Sequence, residues 1–204
     1  MKSDAIAFGI AGIAFGLIAG WIIGSQQTAV RTPAAAPVAA AAPAGDAEPR
    51  AAILDETKVN ALKAVAEREA TNPKPRIELA NLYFDAQKFD DAIRWYEAAF
   101  KLNTTDVNVS TDLGVAYYYT NNPEKALEQL DRSLKIDPKH AKTLLNIGIV
   151  KAFGKQDLDG ASKAWQQVIE LAPDSPEGQA AKRALETFKS SHPAIGGTAG
   201  KPGT

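Results

Sequence analysis

The sequence contains no cysteine, which excludes disulfide bonds, thiolate nucleophiles and thiolate metal ligands. It contains two histidines, His140 and His192, and no HExxH pair, glycine-rich phosphate loop or nucleophile elbow. His140 follows a Pro-Lys turn and is interpreted as a solvated cap residue. We therefore predict that the protein is not an enzyme, with no catalytic residue, no metal site and no cofactor.

An excess of charge of either sign is also missing. The chain has 23 Lys and Arg residues against 24 Asp and Glu residues, for a formal net charge of −1. A nearly neutral, mixed surface lacks the basic footprint that the phosphate backbone of a nucleic acid requires. We expect no nucleic-acid partner.

Charged and strongly polar residues are absent from Ala5–Gly24. A helix of this length rises about 30 Å, the thickness of the hydrocarbon core of a bilayer. We interpret residues 1–24 as a retained single-pass transmembrane anchor; a cleaved secretory signal, whose apolar part is usually about 7–15 residues long, is the alternative. Lys2 before the span and few cations after it favour a cytoplasmic N-terminus and a periplasmic or otherwise extracytoplasmic C-terminal domain.

Glycines recur at every fourth position within this apolar segment. Small residues on one stripe let two membrane helices approach closely, which predicts packing on another helix or a homo-oligomer. The alternative is that glycine is simply common in membrane helices. The predicted helix-packing residues are Gly12, Gly16, Gly20 and Gly24.

The rest of the chain repeats itself at a fixed interval. Leu79, Leu113 and Ile147 stand at equivalent places in three copies, 34 residues apart. Later positions of the third copy slip by one residue, which we attribute to an extra residue within 157–160. A period of this length predicts stacked helix pairs, which form an extended curved surface.

We predict an all-α fold, an α-solenoid of three helix pairs with flanking helices, attached to an N-terminal transmembrane helix. Prolines mark several junctions between helices, and an Ala- and Pro-rich composition marks a tether. The predicted divisions are the anchor 1–24, an Ala/Pro-rich linker 25–50, an N-terminal flanking helix 51–72, three repeats 73–175 (73–106, 107–140 and 141–175), a C-terminal capping helix 176–191 and a disordered tail 192–204.

The pattern within each copy resembles the tetratricopeptide repeat family over residues 73–175. That family has Leu-Gly and Tyr in its first helix, followed by Ala, an aromatic residue, Ala and a closing Pro in its second. The middle copy matches at Leu113, Gly114, Tyr117, Ala126 and Pro138. Small residues lie where the paired helices cross, because a large side chain there would overpack the crossing by roughly 1–3 kcal/mol.

The resemblance implies that the first helix of each pair lines a concave groove. The lining is mostly apolar with a few polar groups, which suits an apolar or amphipathic segment of a protein or peptide client. Flanking helices that cover part of the lining are the alternative. Asp112 would repel a terminal carboxylate, so we expect no complete carboxylate clamp of the kind found in chaperone-docking members. The predicted groove residues are Ile77, Asn81, Phe84, Thr111, Val115, Tyr118, Lys142, Leu145 and Ile149.

The combined layout predicts a membrane-anchored adaptor that binds a protein or peptide segment and organises an assembly at the membrane. This layout is similar to that of bacterial envelope proteins, including the repeat subunits of cytochrome c maturation. Two alternatives remain open: a self-associating scaffold without an exchanging client, and an import receptor that faces the cytosol.

Overall fold

The computed structural model describes residues 52–191, in which helices follow one another without a strand. In chain order they are α1 (Glu56–Arg68), α2 (Lys74–Asp85), α3 (Phe89–Leu102), α4 (Val107–Tyr119), α5 (Pro123–Ile136), α6 (Ala141–Ile149), α7 (Leu158–Leu171) and α8 (Pro176–Ser191). A short π-helix, Val150–Gly154, continues α6. The described chain is thus the predicted all-helical solenoid: α2/α3, α4/α5 and α6/α7 form three pairs, with a helix at either end.

The predicted anchor with its glycine stripe, the linker and the tail lie outside the described residues. These are residues 1–24 with Gly12, Gly16, Gly20 and Gly24, residues 25–50 and residues 192–204. Within the described part of the chain, none of the helices combines the length and apolar character that crossing a bilayer demands.

Local sequence signals explain where several helices begin. Asp55, Asp106 and Asp157 precede α1, α4 and α7, and each carboxylate accepts hydrogen bonds from backbone amides of the first turn. Those amides have no partner inside the helix, so an acidic N-cap satisfies them and complements the helix dipole. Two other helices, α5 and α8, begin at a proline, whose missing N–H costs nothing at that position.

Small residues at the crossings allow each pair of helices to pack closely. Ala92, Ala126 and Ala161 are fully buried on the second helices. On the first helices, a Cβ added to Gly114 would lie 2.8 Å from Leu130 Cγ, and one added to Gly148 would lie 2.2 Å from Trp165 Nε1. The crossings therefore have no room for a larger residue.

Each end of the stack is held by specific contacts. Arg76 in α2 donates from its guanidinium to the carbonyl oxygens of Asn72 and Ala66, both at 2.9 Å, and so binds the C-terminal end of α1. Such a cation also complements the negative end of the α1 dipole. At the other end, α8 packs on α7, where the Phe188 and Trp165 rings meet edge to face with centroids 5.8 Å apart.

The turn inside each pair contains one residue in the left-handed region: Gln87 (φ 57°), Asn121 (φ 59°) and Gln156 (φ 55°). The first two are 34 residues apart and the last two 35 residues apart. The additional residue of the third copy must therefore precede Gln156. Our placement of it within 157–160 is wrong.

The π-helix contains the additional residue. In the second pair, Asn122 N donates to Tyr117 O across five residues; in the third, Asp157 N donates to Lys151 O across six. Lys155 N donates to Val150 O, the i to i−5 bond of a π-turn, at 3.1 Å. A π-turn holds one more residue without ending the helix, so α7 enters its pair in the same register as α5.

Candidate functional site

The first helices of the three pairs, α2, α4 and α6, are neighbours along one face of the stack, here called the inner face. Phe84 of α2 meets Tyr119 of α4 edge to face, with ring centroids 5.4 Å apart. Thr111 of α4 and Thr143 of α6 share a hydrogen bond of 2.7 Å between their hydroxyl oxygens. These contacts give the side-by-side order of first helices that the family resemblance implies.

The nine residues predicted to line a groove on this face differ in exposure. Asn81 is exposed, and Ile77, Val115, Tyr118 and Lys142 are half-buried. The other four are buried in the core, at 9% exposure or less: Phe84, Thr111, Leu145 and Ile149. A buried side chain has no free area for a partner, so the accessible part of the predicted site is reduced to the first five residues. Their role in binding stays a prediction.

Asn81 is oriented by a hydrogen bond from the core of the first pair. The Tyr96 hydroxyl donates to Asn81 Oδ1 at 2.6 Å. Burial raises the pKa of Tyr96 well above 10, and the negative charges of Asp112 and Asp85 raise it further, so the phenol keeps its proton and remains a donor. Because Oδ1 accepts this bond, the amide NH₂ of Asn81 is the group left for solvent or a partner.

Asp85 is an unusual acid on this face because nothing in the described chain compensates its charge directly. It is the last residue of α2, where the helix dipole disfavours a negative charge. Burial raises the pKa of its carboxyl group, and the nearby Lys58 lowers it. Among residues 52–191, no group donates a hydrogen bond to the Asp85 carboxylate, and Lys58 stays beyond ion-pair distance.

Lys142, the cation predicted to face the groove, is already paired. Its ammonium group donates to Asp112 Oδ1 at 2.6 Å, and the two side chains are only 13% and 21% exposed. A largely desolvated pair of this kind is costly to separate. Lys142 is therefore not available to neutralise the carboxylate of a partner.

A chain of hydroxyl groups joins the second and third pairs beneath this ion pair. Thr111 Oγ1 donates to Val107 O at 2.7 Å and bonds to Thr143 Oγ1, which in turn bonds to His140 Nδ1 at 2.7 Å. His140 is half-buried, which corrects our interpretation of it as a solvated residue. Burial lowers the pKa of His140. The sequence offers no signal for this series of hydrogen bonds, because Thr111 and Thr143 do not share a repeat position.

Aromatic rings cluster where the first two pairs meet. Phe89 and Tyr119 stack with centroids 4.6 Å apart, and Phe84 meets both rings edge to face. Tyr118 is half-buried beside Tyr119, and burial raises its pKa to about 12. Sequence reasoning did not predict Phe89 and Tyr119 at this surface. A signal for Tyr119 was present, because three consecutive tyrosines on one helix point in different directions and cannot all occupy the same position.

Comparison with known proteins identifies a repeat family in part of the chain. The family model described as "Tetratricopeptide repeat" matches residues 75–139. The BBSome complex member BBS4 of Bos taurus is 32% identical over 100 residues, which is 49% of this chain and 19% of that protein. The curated relatives are much longer proteins, and this chain spans about a fifth of their length or less.

Solved structures show the same fold. The first TPR of Spaghetti (RPAP3) bound to the HSP90 peptide SRMEEVD has a TM-score of 0.54 at 22% identity, covering 59% of this chain and 94% of that one. The Sgt2 TPR domain from Aspergillus fumigatus has a TM-score of 0.55 at 25% identity, covering 65% and 86%. With the repeated helix pairs and their small crossing residues, these findings place residues 75–139 in the tetratricopeptide repeat family.

Proposed function

We propose that the protein is a membrane-anchored adaptor, not an enzyme, which binds a peptide segment of another protein on its inner face. The observation that carries the proposal is the inner face itself, where Ile77 and Val115 keep apolar area at the surface and Asn81 presents an oriented amide. Apolar area with a few fixed polar groups is what a bound helix or extended segment requires. The peptide-bound repeat domain of Spaghetti shows that a related fold can hold a peptide.

The membrane part of the proposal rests on the sequence. Ala5–Gly24 has the length and composition of a transmembrane helix. Under this proposal, the N-terminus is cytoplasmic, the repeats are extracytoplasmic, and the adaptor organises an assembly at the membrane. Protease added to sealed right-side-out vesicles, whose outer surface is the extracytoplasmic one, should then degrade the repeats while the N-terminus stays protected. Protection of the repeats in the same vesicles would favour the receptor that faces the cytosol.

Binding is tested with substitutions that spare the core. The double variant Ile77→Ser and Val115→Ser removes the half-buried apolar area of the inner face, and Ile93→Ser removes a half-buried residue of the second helix α3 as the control. We expect the double variant to weaken capture of a selected peptide at least tenfold, and the control to change it less than twofold. Circular dichroism should show the same helix content in all three proteins.

Two results would contradict the adaptor. Equal binding by the double variant would exclude the inner face as the peptide site. Sedimentation of the full chain as a tight oligomer that captures no peptide would favour the self-associating scaffold, in which copies of the chain occupy each other's binding surface.

A further inference from the structure

The charges of the inner face are distributed unevenly. Lys142 and Asp112 neutralise each other, whereas Asp85 has neither a hydrogen-bond donor nor an ion pair among the described residues. Asn81 lies four residues before Asp85 on α2, so the two side chains leave the same side of that helix, where Cβ atoms at this spacing are about 5–6 Å apart. One accessible carboxylate and one oriented amide are thus neighbours on the surface proposed to bind a peptide.

We propose that this surface selects a client segment carrying a Lys or Arg side chain. The cationic group pairs with the Asp85 carboxylate, and the amide NH₂ of Asn81 donates to a carbonyl oxygen of the client backbone. The inference rests on the proposed function and specifies which kind of segment the inner face accepts.

The position of Asp85 favours a cation over the other polar groups of a peptide. A half-buried acid at the C-terminal end of a helix is destabilised by desolvation and by the helix dipole, and a positive partner relieves both. An acidic segment, or a terminal carboxylate, would meet Asp85 and find Lys142 already occupied by Asp112. Like charges brought together at an interface are strongly unfavourable, which gives specificity.

Lys58 is the internal competitor for the same carboxylate. It lies in the first turn of α1, it is exposed, and its charge acts on Asp85 without reaching ion-pair distance. A client cation that approaches more closely gains more from the carboxylate than Lys58 does, because the attraction between charges rises as their separation falls. Removal of Lys58 should therefore strengthen the binding of a basic segment.

The test begins with an unbiased selection. The full chain in detergent solution is used to select from a displayed library of random peptides of about 12 residues in which basic and acidic residues are equally frequent. We expect enriched peptides to share a Lys or Arg at one position. Enrichment of acidic or uncharged peptides would overturn the inference while leaving the proposed function intact, and no enrichment at all would overturn both.

A double-mutant cycle then identifies the pair. In a selected synthetic peptide the shared basic residue is replaced by norleucine, and in the protein Asp85→Asn is compared with Asp131→Asn, which removes an equal charge from an exposed position on α5. We expect each change at the pair to weaken binding about tenfold, with no further loss when both are made. Additive losses, or an equal effect of Asp131→Asn, would show that the contact does not exist.

Discussion

The second and third helix pairs pack in the same way although the third uses a longer chain. Gly114 and Gly148 mark the crossing in each, and Leu130 and Trp165 are fully buried opposite them. The turn of the second pair closes over five residues and that of the third over six, because a π-turn precedes it. The stack therefore requires a fixed register of the second helix of each pair. In the third pair, a π-turn at the end of α6 accommodates the additional residue without changing that register.

The largest predicted difference in stability is between two deletions, each of which removes one residue from the turn of one pair. Deletion of Thr120 should rotate α5 by about 100° relative to α4, withdraw Ala126 and Leu130 from the core, and unfold the second pair. Deletion of Lys155 should convert the π-turn into the regular turn of the second pair and cost about 1 kcal/mol or less. Urea unfolding followed by circular dichroism measures both.

Lys155 is a suitable residue to delete because it is exposed and its ion pair with Glu124 lies at the surface. Surface pairs contribute little to stability. If deletion of Lys155 lowered the free energy of unfolding as much as deletion of Thr120, the packing of the third pair would require the π-turn. The π-turn would then do more than accommodate one additional residue.

The crossing glycines should differ in the same experiment. A Cβ at Gly148 would lie within 2.8 Å of three atoms of the rigid, fully buried Trp165 ring. At Gly114 its nearest neighbour is the more adaptable Leu130 side chain, and the carbonyl oxygen of Ala126 lies farther away at 3.2 Å. We expect Gly148→Ala to lower the free energy of unfolding by about 2–3 kcal/mol. Gly114→Ala should cost about 1 kcal/mol or less, since the higher helix propensity of Ala offsets part of the crowding. Equal losses would mean that Trp165 can move aside.

A smaller effect is expected at the left-handed residues of the turns. Gln156→Gly should stabilise the third pair by about 0.5–1 kcal/mol, because glycine adopts a positive φ without steric cost. Asn121→Gly should change stability by only a few tenths of a kcal/mol, since asparagine tolerates this conformation better than glutamine. Thermal unfolding of both variants distinguishes them; destabilisation by Gln156→Gly would show that its side chain has another role.

The last prediction concerns the hydroxyl chain that joins the two pairs. Burial lowers the pKa of His140 below 6.5, and Lys142 acts in the same direction against the opposing charges of Asp137, Asp112 and Glu177. As pH falls below 6.5, the unfolded chain binds a proton that the folded protein resists, so stability declines until the pKa of the folded state is reached.

His140→Asn should therefore make stability less dependent on pH between about pH 7.5 and pH 5. Urea midpoints of the parent and the variant measure this difference. The raised pKa of Asp85 has the opposite effect on stability, but it is present in both proteins and cancels in the comparison. Parallel profiles would show that His140 remains free to take up a proton in the folded state.

The sequence predicts the helices well because their signals are local. The Asp residues that cap helices and the prolines at junctions act within a few residues, and the recurrence of Leu79, Leu113 and Ile147 shows that the same local pattern is used three times. The inner face is predicted less well, because exposure depends on which neighbouring helix covers a residue. Ile149 occupies a place equivalent to Asn81 and Val115, which remain accessible, yet it is buried in the third pair.

Side-chain contacts between helices were beyond sequence reasoning for a related reason. The partners Lys142 and Asp112 are 30 residues apart, and Tyr96 and Asn81 are 15 apart, so neither distance matches the repeat period. Their contact follows from how the helices are arranged in space. The site of the additional residue was misplaced because a π-turn has no composition of its own.

Arg76 also has a mechanical consequence. Its guanidinium donates hydrogen bonds to carbonyl oxygens at the end of α1 and in the segment that follows. A pulling load applied to the chain ahead of α1 would therefore reach α2 through the charge-assisted hydrogen bonds of Arg76 to Ala66, Glu69 and Asn72 as well as through the covalent connection. Tension from that side would be shared with the first repeat before α1 could peel away from it.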